Sequence, residues 1–95
     1  MLLFVSGNAT GLDTVAVRII IWHMATRDAV RLTRMRRLAE SGAARAIRES
    51  AGLSLTEAAA GAEVHRITVH RWERGTRRPR GDAALRYLDL LEQLS

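Results

Sequence analysis

Between Val64 and Arg80 the segment VHRITVHRWERGTRRPR sets six arginines and two histidines against one carboxylate, Glu73. A guanidinium is a planar fork that donates two parallel hydrogen bonds. It grips a phosphate, or the paired acceptors on a guanine edge, where an ammonium acts only as a point charge. All fifteen basic residues of the 95-residue chain are arginine. Bond-making chemistry finds no support: there is no nucleophile with a base and an orienting group, no phosphate-cradling glycine loop and no cysteine, and His23, His65 and His70 have no metal-ligand spacing. These residues point away from an enzyme, with no cofactor and no metal expected.

The position of the charge carries more information than its total. The formal net charge is +5. Residues 64–80 contribute +5 and residues 24–37, with Arg27, Arg31, Arg34, Arg36 and Arg37 against Asp28, contribute +4, while the remaining segments are neutral or acidic. Two basic blocks on an otherwise neutral or acidic chain favour a polyanionic partner. A chain of this length with 47% hydrophobic residues is sized for one globular core.

The elements that would position these residues read as helices. Residues 1–23 differ in composition from the rest, and their Val15–Trp22 run fits either a short β-branched strand or a buried helix. They lack the basic start and cleavage site of a signal peptide, and Asn8, Asp13 and Arg18 interrupt any membrane span. The change at Met24 also fits a natural start there, with an upstream extension before it, so residues 24–95 are taken as the domain. Thr26 is expected to cap a first helix, with Ala29, Leu32, Met35 and Ala39 at helical spacing. A second helix is expected over Ala43–Ser50 with Ala46 and Ile47 inward, closed by Gly52. Ser54 and Glu57 fit a capping box for a third that stops near Gly61 or Ala62. A fourth should run from near His65 to Arg74, ended by Gly75. The arginine-rich connector with Pro79 precedes a last helix capped by Asp82, whose Ala84, Tyr87, Leu88, Leu90, Leu91 and Leu94 form a broad apolar stripe. The expected fold class is all-α, a four- to five-helix bundle.

Two short helices joined by a tight turn, the second rich in Arg, His and Thr, suit the major groove of duplex DNA. A helix about 10–12 Å across fits a groove about 12 Å wide. Residues 45–91 resemble the Cro/C1-type (XRE) helix-turn-helix family. The residues carrying the resemblance are Arg45, Arg48-Glu49, Gly52-Leu53-Ser54, Glu57-Ala58-Ala59, Val64, Thr68-Val69, Arg71-Trp72-Glu73-Arg74-Gly75, Arg77 and Pro79-Arg80. The resemblance implies that base-reading positions fall on Arg66 and Arg71, with Ile67 at a further one. His65 and His70 are candidates beside them. Val64, Val69 and Trp72 are expected to dock the reading helix, and Glu73 to tie to an arginine such as Arg48. Family members hold a phosphate through a glutamine where this chain has Leu55, which leaves Thr56 as a weaker substitute. In the turn, Glu63 stands where the family often has glycine.

Candidate phosphate contacts are Thr56, Thr68, Arg74, Arg77, Arg78 and Arg80, with the arginines of residues 24–37 either widening that footprint or solvating one face. Leu88, Leu91 and Leu94 are assigned to a homodimer interface, against the plainer reading that the last helix closes the domain's own core. The sequence thus reads as a cytoplasmic, nucleoid-associated regulator that binds double-stranded DNA, of the phage or prophage repressor kind. Alternatives are the antitoxin of a toxin–antitoxin pair with a toxin partner, an excisionase-like DNA-bending factor, and a protein-interaction module acting through Leu85–Leu94.

Overall fold

The computed structural model describes residues 13–95, and these form five helices: α1 (Thr14–Ser41), α2 (Ala43–Ser50), α3 (Leu55–Ala62), α4 (Arg66–Arg74) and α5 (Gly81–Leu94). The first twelve residues of the N-terminal extension lie outside the described range.

The largest departure from the sequence reading is α1. Asp13, not Thr26, is its cap, with the Asp13 carboxylate accepting from the Ala16 amide at 2.7 Å. Thr26 lies in mid-helix, and the expected boundary after residue 23 coincides with no break. The reason is local. Between Thr14 and Ser41 there is no glycine or proline to stop a helix, and a β-branched run costs only tenths of a kcal/mol per residue in helix propensity. Twenty-eight residues at 1.5 Å rise make a rod about 42 Å long, which gives the protein its 55 × 22 × 20 Å dimensions. The helix meets its domain from about Met24 onward, where Met24, Arg27, Asp28 and Arg31 line a cleft with Leu85, Asp89 and Glu92 of α5, and Met35 and Ala39 are the residues it buries.

Gly42, in the left-handed region at φ 84°, turns the chain from α1 into α2. The inward face of α2 consists of Ala44, Arg48 and half-buried Ile47, while Ala46 points to solvent, one position away from the expected register. The capping box of α3 is complete: the Glu57 amide donates to Ser54 Oγ at 3.1 Å and the Ser54 amide donates to Glu57 Oε1 at 2.9 Å. α5 begins after Arg80 rather than at Asp82, which sits in its first turn and favours the positive end of the helix dipole.

The core is assembled from small residues around a few large ones. Ala44, Ala58, Ala59, Ala62 and Ala84 let helices approach closely around Met35, Val69, Trp72, Tyr87, Leu88 and Leu91. Trp72 and Tyr87 have ring centroids 5.9 Å apart. Leu88 and Leu91, 0% and 1% exposed, lie inside this core. In the single chain α5 packs these two leucines against its own helices, while Leu85, Leu90 and Leu94 are half-buried.

The α3–α4 turn carries one strained residue. Glu63 takes φ 59°, ψ 44° so that its amide and that of Val64 can close the last carbonyls of α3, the Val64 amide reaching Ala59 O at 3.0 Å. It is the one non-glycine residue with positive φ among those described. The left-handed conformation costs a side-chain-bearing residue about 1–2 kcal/mol, part of which glycine gives back through its unfolded-state entropy. Glu63→Gly is therefore expected to stabilise the protein by about 1 kcal/mol, a rise of roughly 4–8 °C in melting temperature for a domain of this size. Glu63→Ala, which keeps the Cβ, should bring no such rise in a thermal melt.

Candidate nucleic-acid interface

The exposed side of α4 is built by what its other side must bury. Val69 and Trp72 enter the core, and the helix is held at both ends: the His65 ring Nδ1 accepts from the Ile67 amide at 3.1 Å at the start, and Gly75 at φ 75° closes the end. With 3.6 residues per turn, this leaves Arg66, Ile67, His70, Arg71 and Arg74 on one continuous exposed arc. Ile67 is 46% exposed, an apolar group left on a basic face. Thr68 stands outside that arc, half-buried on the opposite flank.

The one carboxylate of α4 is turned inward and consumed. Arg48 of α2 donates to both Glu73 oxygens, from Nε at 2.7 Å and from Nη2 at 2.9 Å, and Tyr87 of α5 donates its hydroxyl to Glu73 Oε2 at 2.6 Å. The third arm of Arg48 donates to the Leu53 carbonyl at 2.8 Å. The expected Glu73–Arg48 tie is thus present, with Tyr87 as a partner that the sequence did not suggest. Burial pushes the Glu73 carboxyl up, but the hydrogen bonds from Arg48 and Tyr87 and the Arg48 charge outweigh it and hold the group below the ordinary range. Burial, then the bond to Glu73, pushes the Tyr87 phenol well above its usual value, so it remains a donor.

Beside the α4 arc, a groove between α2, α3 and α4 is lined by Arg45, Leu55, Thr56, Arg66, His70 and Arg74, with Glu49 and the Arg48–Glu73 pair also on its wall. Thr56 is exposed there at the start of α3, and Leu55 lies against Arg66, Ile67 and His70. Arg45 belongs to this group although the charge count of its neutralised segment hid it; its Nε donates to Glu49 at 3.1 Å, leaving the rest of the guanidinium toward the groove. Downstream, Arg77, Arg78 and Arg80 are exposed on either side of buried Pro79.

The N-terminal basic block behaves differently. Arg31 pairs with Asp89 and with Glu92 at 3.0 Å, Arg34 reaches Glu92 at 3.4 Å, and Arg36 Nε donates to the Pro79 carbonyl at 2.8 Å. Arg31 and Arg36 thus fasten α1 to α5 and to the connector, while Arg27, Arg34 and Arg37 stay exposed.

A five-helix domain whose fourth helix is packed through one side and presents arginine, histidine and an apolar group on the other is a helix-turn-helix of the nucleic-acid-reading class. A helix-turn-helix family model matches residues 45–94, more than half of the chain, and the chain belongs to that family, the Cro/C1-type (XRE) helix-turn-helix proteins, which are DNA-binding transcription regulators. Searches of curated proteins and of solved structures gave no match.

The Glu73 cluster makes stability depend on pH in the acid range. A carboxylate whose folded pKa is depressed contributes stability above its unfolded pKa and loses it as pH falls through the folded value. Glu73→Gln, which preserves shape but strands the Arg48 charge, is expected to cost about 3–5 kcal/mol at neutral pH. The melting temperature of the variant should also fall less steeply than that of the parent on acidification below the carboxylate range, as followed by thermal melts across pH.

Proposed function

We propose that this protein is a sequence-specific repressor of the phage or prophage kind, which lays α4 in the major groove. The observation that carries the reading is the composition of the α4 arc: three arginines, a histidine and an isoleucine, with the helix's one carboxylate withdrawn into the core. Arg66 and Arg71 suit bidentate contacts with guanine, His70 and His65 suit single hydrogen bonds, and Ile67 suits the thymine methyl group. His65 offers the groove only its Nε2 side, because Nδ1 serves the cap. Arg45, Thr56, Arg74, Arg77, Arg78 and Arg80 surround the arc and suit phosphates, which fix register and supply affinity. Thr68, on the far flank, is left out of these contacts.

Contacts to bases and to phosphates separate by their response to sequence and to salt. Arg66→Ala or Arg71→Ala is expected to cost about 1–3 kcal/mol on a duplex selected from a random pool, and much less on unselected duplex. Arg77→Ala or Arg80→Ala should weaken both alike and lower the slope of log affinity against log salt by about 0.9 for each phosphate lost. If all four variants shift selected and unselected binding equally at unchanged melting temperature, α4 does not read bases.

A further inference from the structure

The N-terminal half of α1 projects from the domain with its apolar side chains in water. Val15, Val17, Ile19, Ile20, Ile21, Trp22, Met24 and Val30 are each between 37% and 64% exposed, whereas the globular part leaves only Ile67 comparably bare. Arg18 is the single charge between Thr14 and Thr26, so neither an acidic nor a basic partner is selected by this stretch. A helix apolar on all sides is ordinarily a buried one, yet no described helix is long and apolar enough to cross a membrane.

One stripe of this overhang has the spacing of a helix–helix seam. Val15, Ile19, Trp22, Thr26 and Ala29 follow one another at intervals of four, three, four and three, the repeat that keeps a line of side chains facing a partner helix. Val15, Arg18, Ile19 and Trp22 already outline a shallow apolar depression on it. The stripe lies on the side of α1 opposite Met35, away from the domain's own core.

We infer that this stripe pairs antiparallel with the same stripe of a second copy of the chain. An antiparallel overlap centred on Trp22 sets Val15 and Ile19 of one copy opposite Ala29 and Thr26 of the other, large against small, with the two tryptophans meeting at the symmetry axis. It also carries the two basic segments, residues 24–37, to opposite ends of the overlap. A parallel pairing would place Arg18 on Arg18 and basic segment beside basic segment. The eight exposed side chains, at on the order of 100 Å² each, offer roughly the 800 Å² that a standard interface takes from one partner. A two-helix seam covers about half of that, which fits association in the micromolar range rather than a permanent dimer. The inference does not rest on the DNA-binding reading, since the overhang shares no residue with α4.

Sedimentation of the full chain from low to high micromolar concentration tests this. The parent is expected to double its mass over that range. Ile19→Glu and Trp22→Glu should remain monomeric, with the parent's melting temperature and its affinity for unselected duplex, because neither residue touches the domain core. Orientation is read from engineered cysteines, the chain having none of its own. A chain carrying both Val15→Cys and Ala29→Cys should oxidise to a covalent dimer, whereas Val15→Cys alone should not. A parent that stays monomeric throughout overturns the inference, whether or not it binds lipid vesicles, as does association that survives Ile19→Glu. Efficient cross-linking of Val15→Cys alone overturns the antiparallel arrangement.

Discussion

The bidentate pair between Arg48 and Glu73 is the constraint on which the rest of the domain depends. Arg48 is 6% exposed and sits at the end of α2, Glu73 near the end of α4, and through them four parts of the chain meet: α2, the Leu53 carbonyl that leads into α3, α4, and α5 through Tyr87. A charge this deeply buried is costly unless every donor and acceptor is engaged. Here both Glu73 oxygens and all three Arg48 nitrogens have partners. Neither end can shift without leaving a bare charge, so the pair sets the rotation of α4 about its own axis. That rotation decides which residues face outward.

The remainder of the packing follows from holding α4 in that orientation. Trp72 leans on Tyr87, their ring centroids 5.9 Å apart, and Val69 is buried in the same core. α3 lies close to both α4 and α5, which the alanines at 58, 59 and 62 permit, and at Gly61 a Cβ would come 3.3 Å from a Leu90 methyl, so a larger residue there needs that side chain to shift. The end of α3 is sealed from α5, where Arg86 Nε donates to the Ala62 carbonyl at 2.8 Å. The positive φ of Glu63 is the local strain that this close geometry imposes on the turn.

Much of the frame was legible because its signals are local. Ser54 with Glu57, Gly75 after an arginine-rich turn, and Gly42 and Gly52 at chain reversals each mark a helix end by backbone chemistry that needs no tertiary context. The outward residues of α4 followed from periodicity once Val69 and Trp72 were placed inside. The readings that failed needed knowledge of a partner surface. The apolar arc of α5 looks the same whether its leucines meet another subunit or their own α1 and α3, since either would bury them. The extent of α1 was hidden because a run of valine and isoleucine gives no periodic contrast, and the absence of a stop signal is weaker than the presence of one. Tyr87 as the third member of the ion cluster had no sequence mark, since fourteen residues and a reversal separate it from Glu73.

The two basic blocks show why charge density alone does not locate an interface. On sequence they differ by a single unit, yet Asp89 and Glu92 of α5 sit beside Arg31 and Arg34, and the Pro79 carbonyl takes Arg36. Arg31 and Arg36, half-buried and tied, have little left to offer a phosphate and fasten a long helix to the domain, while Arg34 remains exposed. The arginines of α4 and the connector form no ion pair among the described residues, and the carboxylate of their own helix, Glu73, is taken by Arg48. The same ion pair that fixes the rotation of α4 therefore also removes the one negative charge that would have weakened its outer face. Structural support and electrostatic preparation of that face are a single arrangement of side chains, and a substitution that loosens the first also alters the second.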